Sequence, residues 1–268
     1  MSYRLSNPKS VPMALITPGI TVKISTMVIT IAMTIIVTAT VMTDAAPVAL
    51  SRLLQLASPM LPVGAYSYSQ GLETAIEDGV VRDAATASQW INDVLMLYMG
   101  RFELPLLWRM CEAFADGEDP AQWNIMYRLG RDTSEGRAET LQMGYSLTSL
   151  LRDLGCFDRA AFANLEKCPQ ITFPLAFAWA ATAWQIPTAM SVQAYAWSWL
   201  ENQVAAAMKA VPIGQVAGQK ILLHIGALIP DVVARASNLP EENISNFAPN
   251  LTLAACRHEV QYSRLFRS

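Results

Sequence analysis

Residues 56–73 read LASPMLPVGAYSYSQGLE, and this stretch separates a short apolar helical pattern from a long run of helical sequence. Pro59 and Pro62 each remove a backbone donor and fix φ, so a regular helix cannot continue through them. Gly64 adds a backbone geometry that other residues rarely adopt. The sequence therefore predicts a shaped loop here, with helices before and after it.

Two tyrosines, Tyr66 and Tyr68, lie in this loop beside Ser67 and Ser69, with no charged residue between them. Amphipathic rings in such a loop favour contact with another protein. The alternative is that both rings close the core while one of the serines caps the next helix. The spacing from Gly64 to Ser67 does not match the G-x-S-x-G nucleophile elbow.

The remaining sequence is helical in periodicity, and glycines, prolines and capping residues punctuate it. No stretch alternates between polar and apolar residues in the manner of a strand. The sequence predicts an all-α fold, a single compact bundle of about ten helices. The predicted helices cover residues 48–57, 69–78, 84–100, 103–115, 120–133, 134–154, 158–166, 174–185, 191–208, 213–236 and 250–256.

The chain divides into three predicted segments: an apolar extension over residues 1–43, an all-α domain over 44–256 and a C-terminal tail over 257–268. A chain of 268 residues, 53% of them hydrophobic, can bury a sizeable core. Only 15% of the residues are charged, which favours either a membrane segment or an apolar surface for a partner. The net charge of −3 gives no electrostatic footprint for nucleic acid.

The N-terminal extension contains an uncharged apolar run, residues 24–42, between Lys23 and Asp44. The run could just span a hydrocarbon core. It is a membrane anchor, a cleaved signal peptide or sequence upstream of the true start at Met42. We favour the last, in which case the segment is expected to pack on nothing.

The chain offers few residues for chemistry. Cys111, Cys156, Cys168 and Cys256 lack a C-x-x-C spacing and are interpreted as buried thiols of a reducing compartment. Neither histidine has metal-site spacing, and the apolar surroundings of His224 predict a core histidine. We predict no catalytic residue, no metal ligand and no cofactor, and therefore a protein that is not an enzyme.

Several smaller patterns have two interpretations each. Glu73 and Glu77 are one helical turn apart and either share a cation or, as we favour, form a solvated face. Gly214 and Gly218 do not meet the requirements of a phosphate loop and suit close helix–helix approach. Six aromatic residues are either interface anchors or a core stripe: Phe177, Trp179, Trp184, Tyr195, Trp197 and Trp199.

The C-terminal tail, RHEVQYSRLFRS, places many donors around Tyr262, Leu265 and Phe266 in a segment with no obvious means of folding alone. It is either a solvated tail or a peptide that becomes ordered when it docks on a partner. In the second case Arg264 and Arg267 would offer planar guanidinium groups to carboxylates across the interface.

Three stretches of this chain resemble the UreF family of urease accessory proteins: residues 58–73, 199–222 (WLENQVAAAMKAVPIGQVAGQKIL) and 257–268. Residues 131–147, RDTSEGRAETLQMGYSL, give a weaker match. Together they span about residues 48–268 in the order expected of the family. Ala65 departs from the pattern, since members often carry a second glycine there, and this affects the expected turn geometry.

The resemblance implies an all-α, cytoplasmic, non-catalytic chaperone in the nickel activation of urease. Such proteins form homodimers, bind the scaffold protein UreD (also called UreH) and through it recruit the GTPase UreG. They have been viewed as regulators of that GTPase, and the assembled complex as a conduit for nickel to apo-urease. A membrane-anchored helical protein involved in metal uptake is the alternative if residues 24–42 are a real anchor.

The resemblance also implies partner contacts in three groups. The tail would meet UreD, and Lys209, Gln215 and Gln219 would face the side of UreD or UreG. The loop group is Ser58, Pro59, Pro62, Gly64, Tyr66, Ser67, Tyr68, Ser69, Gly71 and Glu73. The second group is Lys209, Gln215, Gln219 and Lys220, and the tail group is Arg257, His258, Glu259, Gln261, Tyr262, Ser263, Arg264, Leu265 and Phe266.

Overall fold

The computed structural model describes residues 48–267, and the regular secondary structure within that range is entirely helical. The prediction of an all-α fold is confirmed. The predicted N-terminal extension and its possible anchor lie outside the described residues. The helices are α1 (48–56), α2 (Leu72–Glu77), α3 (Ala84–Val94), a π-helical segment (Leu95–Glu103), α4 (Leu104–Asp116), α5 (Ala121–Leu129), α6 (Ser134–Asp153), α7 (Ala163–Glu166), α8 (Phe173–Ala183), α9 (Thr188–Ala210), α10 (Gln215–Gly226), α11 (Ile229–Ser237) and α12 (Pro249–His258), with short 3₁₀ turns at Ala65–Ser67, Arg159–Phe162 and Glu241–Asn243.

The centre of the bundle is α8, which packs against α4 and α6. Every residue from Pro174 to Ala181 is buried, so α8 is apolar on all sides, as expected of a helix surrounded by others. Gly144 lets α6 approach closely, because a Cβ there would lie 2.3 Å from the Ile171 carbonyl oxygen.

The predicted break between residues 100 and 103 is absent, because α3, the π-helical segment and α4 form one continuous helical run. Asp83 caps this run by accepting a hydrogen bond from the Thr86 amide. Pro105 lies in the first turn of α4, directly after the π-helical segment. Because the run is continuous, Pro105 is an interior proline, and the backbone donor that it lacks is lost from the helix beside the π-helical segment.

The single helix predicted over residues 213–236 is two helices, α10 and α11, with a turn at Ala227 and Leu228. Pro230 explains the break, since its ring would clash with the carbonyl of Gly226 in a continuous helix. Within the described residues, one helical run, Gln215–Ser237, is long and apolar enough to cross a membrane by length and composition alone. Ile221, Ile225 and Ile229 of this run are buried in the protein core.

The aromatic residues of α8 and α9 mainly form the core. Phe177, Trp179, Tyr195 and Trp199 are buried, whereas Trp197 is 37% exposed. The core stripe, one of the two interpretations of this pattern, therefore accounts for most of them.

The predictions for the two glycines of the 214–218 segment and for the four cysteines are each only partly correct. Gly218 does mark a close helix approach, since a Cβ there would lie 2.4 Å from the Met208 Sδ, but nothing lies near a Cβ at Gly214.

All four cysteines are free, and the prediction of burial is correct for Cys111 and Cys168. It is wrong for Cys156 and Cys256, which are exposed.

Candidate functional site

The tyrosine loop is held by side chains of α9. Asn202 donates a hydrogen bond to the carbonyl oxygen of Tyr68 at 3.0 Å, and Gln203 donates to that of Ser69 at 3.3 Å. Tyr68 is buried, whereas Tyr66 is half-buried and burial raises its pKa to about 12. The loop is therefore fixed against the core, and Tyr68 closes the core as the alternative interpretation predicted.

A close approach of two helices follows the loop. Gly71 has φ +84°, and a Cβ there would lie 3.3 Å from the Ala255 backbone nitrogen. This contact brings α12, whose last two residues Arg257 and His258 begin the tail, against the first turn of α2.

The carboxylate of Glu73 binds the backbone of the C-terminal tail. Its Oε1 accepts the Leu265 amide at 2.6 Å and its Oε2 accepts the Phe266 amide at 3.0 Å. The Arg267 amide then donates to the Ser67 carbonyl at 2.8 Å. Glu73 is only 7% exposed, so the interpretation of Glu73 as part of a solvated face is wrong, although Glu77 is exposed.

The imidazole of His258 is fully buried between two carboxylates. Its Nδ1 lies 2.8 Å from Glu135 Oε2, and its Nε2 lies 3.3 Å from Glu73 Oε2. The guanidinium of Arg264 pairs with the other oxygen of Glu135. We call these four residues the His258 cluster. The other histidine, His224, is exposed on α10, so its prediction as a core histidine is wrong.

The tail also caps helix α6. Glu259 Oε1 accepts hydrogen bonds from the Ser134 amide at 2.7 Å, from the Ser134 hydroxyl at 2.6 Å and from the Glu135 amide at 3.1 Å. These bonds favour the ionised carboxylate and lower the pKa of Glu259.

One apolar ring anchors the tail from the other side. Phe266 is 6% exposed, and Lys209 Nζ lies 5.6 Å from the centroid of its ring. The sequence left two interpretations of the tail, a solvated segment or a peptide that becomes ordered on a partner. The structure shows the tail ordered on its own chain, through Glu73, His258 and Phe266.

Three apolar side chains of the folded tail face solvent. Val260 is 83% exposed, Tyr262 is 105% exposed and Leu265 is 72% exposed. We call them the tail patch. Exposed aromatic and aliphatic groups on a fixed backbone are typical of protein-binding surfaces.

A second polar network lies beneath the loop, in the core. Gln70 receives a hydrogen bond from the Trp199 indole at 2.9 Å and donates to Glu139 at 2.7 Å. Arg131 lies 3.4 Å from Glu139 and 3.6 Å from Glu103 in buried ion pairs. Burial raises the pKa of Glu103. The network thus joins α9, the loop and α6. Three of the four stretches that resemble the UreF family lie there, residues 58–73, 131–147 and 199–222.

The predicted partner-contact residues differ in exposure. The buried ones are Tyr68, Ser69, Gly71, Glu73, His258 and Phe266, and the half-buried ones are Ser58, Tyr66, Ser67, Glu259 and Gln261. The exposed ones are Pro59, Pro62, Gly64, Lys209, Gln215, Gln219, Lys220, Arg257, Tyr262, Ser263, Arg264 and Leu265.

The structure brings the loop, the tail and Lys209 together, while Gln215, Gln219 and Lys220 lie on α10. Sequence reasoning missed Glu135, whose carboxylate pairs with two tail residues. No local signal marks it, since its partners are more than a hundred positions away. Over residues 48–267, no group of three or more His, Cys, Asp or Glu side chains could hold a metal ion.

Comparison with known proteins decides the family. The sequence model of the UreF family matches residues 81–226. The urease accessory protein UreF of Methylobacillus flagellatus is 56% identical over 222 residues, which is 82% of this chain and 98% of that protein. The chain belongs to the UreF family. The UreF of Azoarcus sp. strain BH72 is 54% identical, over 82% of this chain and 95% of that protein.

One relative is a longer protein that is named as bifunctional. The bifunctional urease accessory protein UreEF of Bordetella bronchiseptica is 45% identical over 82% of this chain, which covers 52% of that longer protein. The similarity to UreF proteins thus includes a polypeptide in which UreF sequence is only about half.

Proposed function

We propose that this UreF-family protein is a non-catalytic urease accessory protein that acts in nickel insertion into apo-urease. It binds the scaffold protein UreD (UreH) and through it recruits the GTPase UreG. Membership of the family and the names of its relatives support this proposal. The name of the UreEF relative also supports the proposal that this protein acts together with other urease accessory proteins.

The tail patch is the observation that carries the proposal. Val260, Tyr262 and Leu265 are exposed on a backbone that buried contacts hold in place. A fixed backbone reduces the ordering entropy lost on binding. Lys209 lies over the ring of Phe266, which follows Leu265 in the chain, so we assign Lys209 and the tail to the UreD side.

A second surface lies on the outer face of α10. Val216 is 71% exposed and Leu223 is 78% exposed, and Gln219 and Lys220 lie on the same face. We assign this surface, with Gln215, to the UreG side of the assembly or to the homodimer. The free cysteines are in keeping with the reducing cytoplasm that we propose as its location.

Size-exclusion chromatography of the full chain with UreD tests the proposal. We expect a shared peak that then accepts UreG, and no shared peak for a chain that ends at Cys256. Circular dichroism of the truncated chain should remain helical. Equal binding by the truncated chain would remove the tail from the interface, and no binding by either chain would contradict the proposed function.

A further inference from the structure

The backbone of Gln70 lies in a region that favours glycine. Among residues 48–267, the residues other than glycine with a positive φ are Gln70 at +54°, Gln170 at +57° and Gln185 at +56°. A Cβ makes this left-handed conformation costly, and a protein retains it where surrounding contacts hold the residue in place. Glycine would adopt this backbone without that cost, so the contacts of the Gln70 side chain must offset it.

The Gln70 side chain bridges two helices. Its Nε2 donates to Glu139 of α6 at 2.7 Å, and its Oε1 accepts from the Trp199 indole of α9 at 2.9 Å. An indole N–H can only donate and a carboxylate can only accept, so the side chain between them needs a donor and an acceptor together, as an amide has. Glu139 is 4% exposed and Trp199 is 7% exposed, so loss of the amide removes a hydrogen bond from two groups inside the protein.

The residues on either side of Gln70 hold the tail. Three positions before it, the Ser67 carbonyl accepts the Arg267 amide at 2.8 Å. Three positions after it, Glu73 accepts two further tail amides. Gly71, directly after it, is the point of close approach to α12. The bridge therefore fixes the centre of a segment, residues 67–73, whose two ends bind the tail.

We propose that Gln70 is a positioning residue for the tail, because its bridge to α6 and α9 holds residues 67–73 in the form that binds the tail. The consequence for UreD rests on the proposed function. When the bridge is lost, the tail is closed for a smaller fraction of the time, and UreD binds more weakly in proportion to that fraction. The affinity for UreD then depends on a half-buried side chain that lies outside the tail patch.

Hydrogen exchange of the isolated full chain tests the proposal without any partner. Q70G removes the bridge and accepts the left-handed backbone, so it adds no strain. Q70M keeps the length of the side chain but has no amide. The reporters are the amides of Leu265 and Phe266, because both donate to Glu73. We expect their protection to fall by about ten- to a hundredfold in both variants, since each loses two hydrogen bonds, one of them to a carboxylate.

The chain supplies a matched control in Gln185, which has the same left-handed backbone and is exposed after α8. Q185G should leave the protection of the tail amides unchanged. The amides of α8 give a second reference, because this helix is buried at the centre of the bundle. A positioning role predicts a loss at the tail amides at least about tenfold greater than at α8, whereas a loss of overall stability would lower both alike.

Unchanged protection of the tail amides in Q70G or in Q70M would overturn the proposal, and so would an equal loss at the tail and at α8. A similar loss in Q185G would show that the effect does not belong to the bridge, and would also overturn it. Failure of the unaltered chain to bind UreD would contradict the proposed function but would leave the exchange result standing, so the two failures are distinguishable.

Discussion

At the scale of single residues, Glu73 fixes the tail by accepting the amides of Leu265 and Phe266. E73Q keeps the shape of the side chain but removes the charge that strengthens both amide hydrogen bonds. We expect a loss of protection of about ten- to a hundredfold at Leu265 and Phe266 at pH 6, since hydrogen bonds to charged groups contribute about 1.5–3 kcal/mol. Hydrogen exchange measures this loss of protection. The matched control is E77Q, because Glu77 lies one turn along the same helix and is exposed.

An equal loss in E77Q would show that the charge of α2, and not the bonds of Glu73, holds the tail. Full protection in E73Q would show that Phe266 and His258 suffice without it.

Arg131 is the residue on which the core network depends. Its removal in R131M leaves Glu103 and Glu139 buried without a cation, which costs about 3–5 kcal/mol in the free energy of unfolding. Chemical denaturation measures this. The control is R82M, since the Arg82 side chain is 72% exposed and its pair with Asp83 is worth about 0–1 kcal/mol. Similar losses in the two variants would contradict a structural role for the buried network.

Residue types alone predicted only part of this chemistry. The tail was recognisable as rich in donors, and Tyr68 was recognised as a residue that could close the core. The burial of His258 was not predictable, because its partners Glu73 and Glu135 are brought to it by the tertiary fold, from 185 and 123 positions away.

At the scale of elements, the contact between α6 and the start of α8 depends on Gly144. A Cβ there would lie 2.3 Å from the Ile171 carbonyl oxygen and 2.7 Å from the Thr172 carbonyl carbon, and backbone atoms cannot yield as a flexible side chain can. We expect G144A to lower the free energy of unfolding by about 1–3 kcal/mol. Chemical denaturation measures it, with Q142A on the exposed face of the same helix as the control. An unchanged stability in G144A would show that the two elements can separate freely.

The cap that Glu259 gives to α6 predicts an acid dependence. Its lowered pKa means that its stabilisation is present above the ordinary range of a glutamate carboxyl and is lost as the pH falls through the lowered value. The difference in unfolding free energy between the unaltered chain and E259Q should therefore shrink from pH 7 to pH 3. Chemical denaturation of both chains at pH 7 and at pH 3 measures this difference. An equal difference at the two pH values would show that the ionised cap is not the source of the stabilisation.

Helix positions were largely predictable from periodicity, but two boundaries were not. The sequence predicted a break near Gly100, yet the π-helical segment carries the run through to α4. It missed the break before Pro230, because the apolar pattern of α10 continues in α11 and masks the turn. The cause of the second break is local, since the Pro230 ring would clash with the carbonyl of Gly226 in a continuous helix.

At the scale of the whole molecule, the resemblance-bearing stretches are far apart in sequence and converge in space. Residues 58–73, the end of α9 and the tail meet at one face, where buried groups fix the backbone and the tail patch remains exposed. The family was predictable from these stretches. Which of their residues are exposed was not, since exposure is a property of the folded chain.

The central claim is that the tail patch, held by its buried contacts, binds UreD. The most direct test is isothermal titration calorimetry of UreD with the double variant Y262A/L265A, because both side chains are exposed and their removal leaves the Glu73 bonds intact. The control is Y145A, a tyrosine 67% exposed elsewhere on α6. The account predicts at least about a tenfold weaker affinity, or about 1.4 kcal/mol, for the double variant alone, with normal amide protection at Leu265 and Phe266. Unchanged affinity in a double variant whose tail remains closed would contradict it.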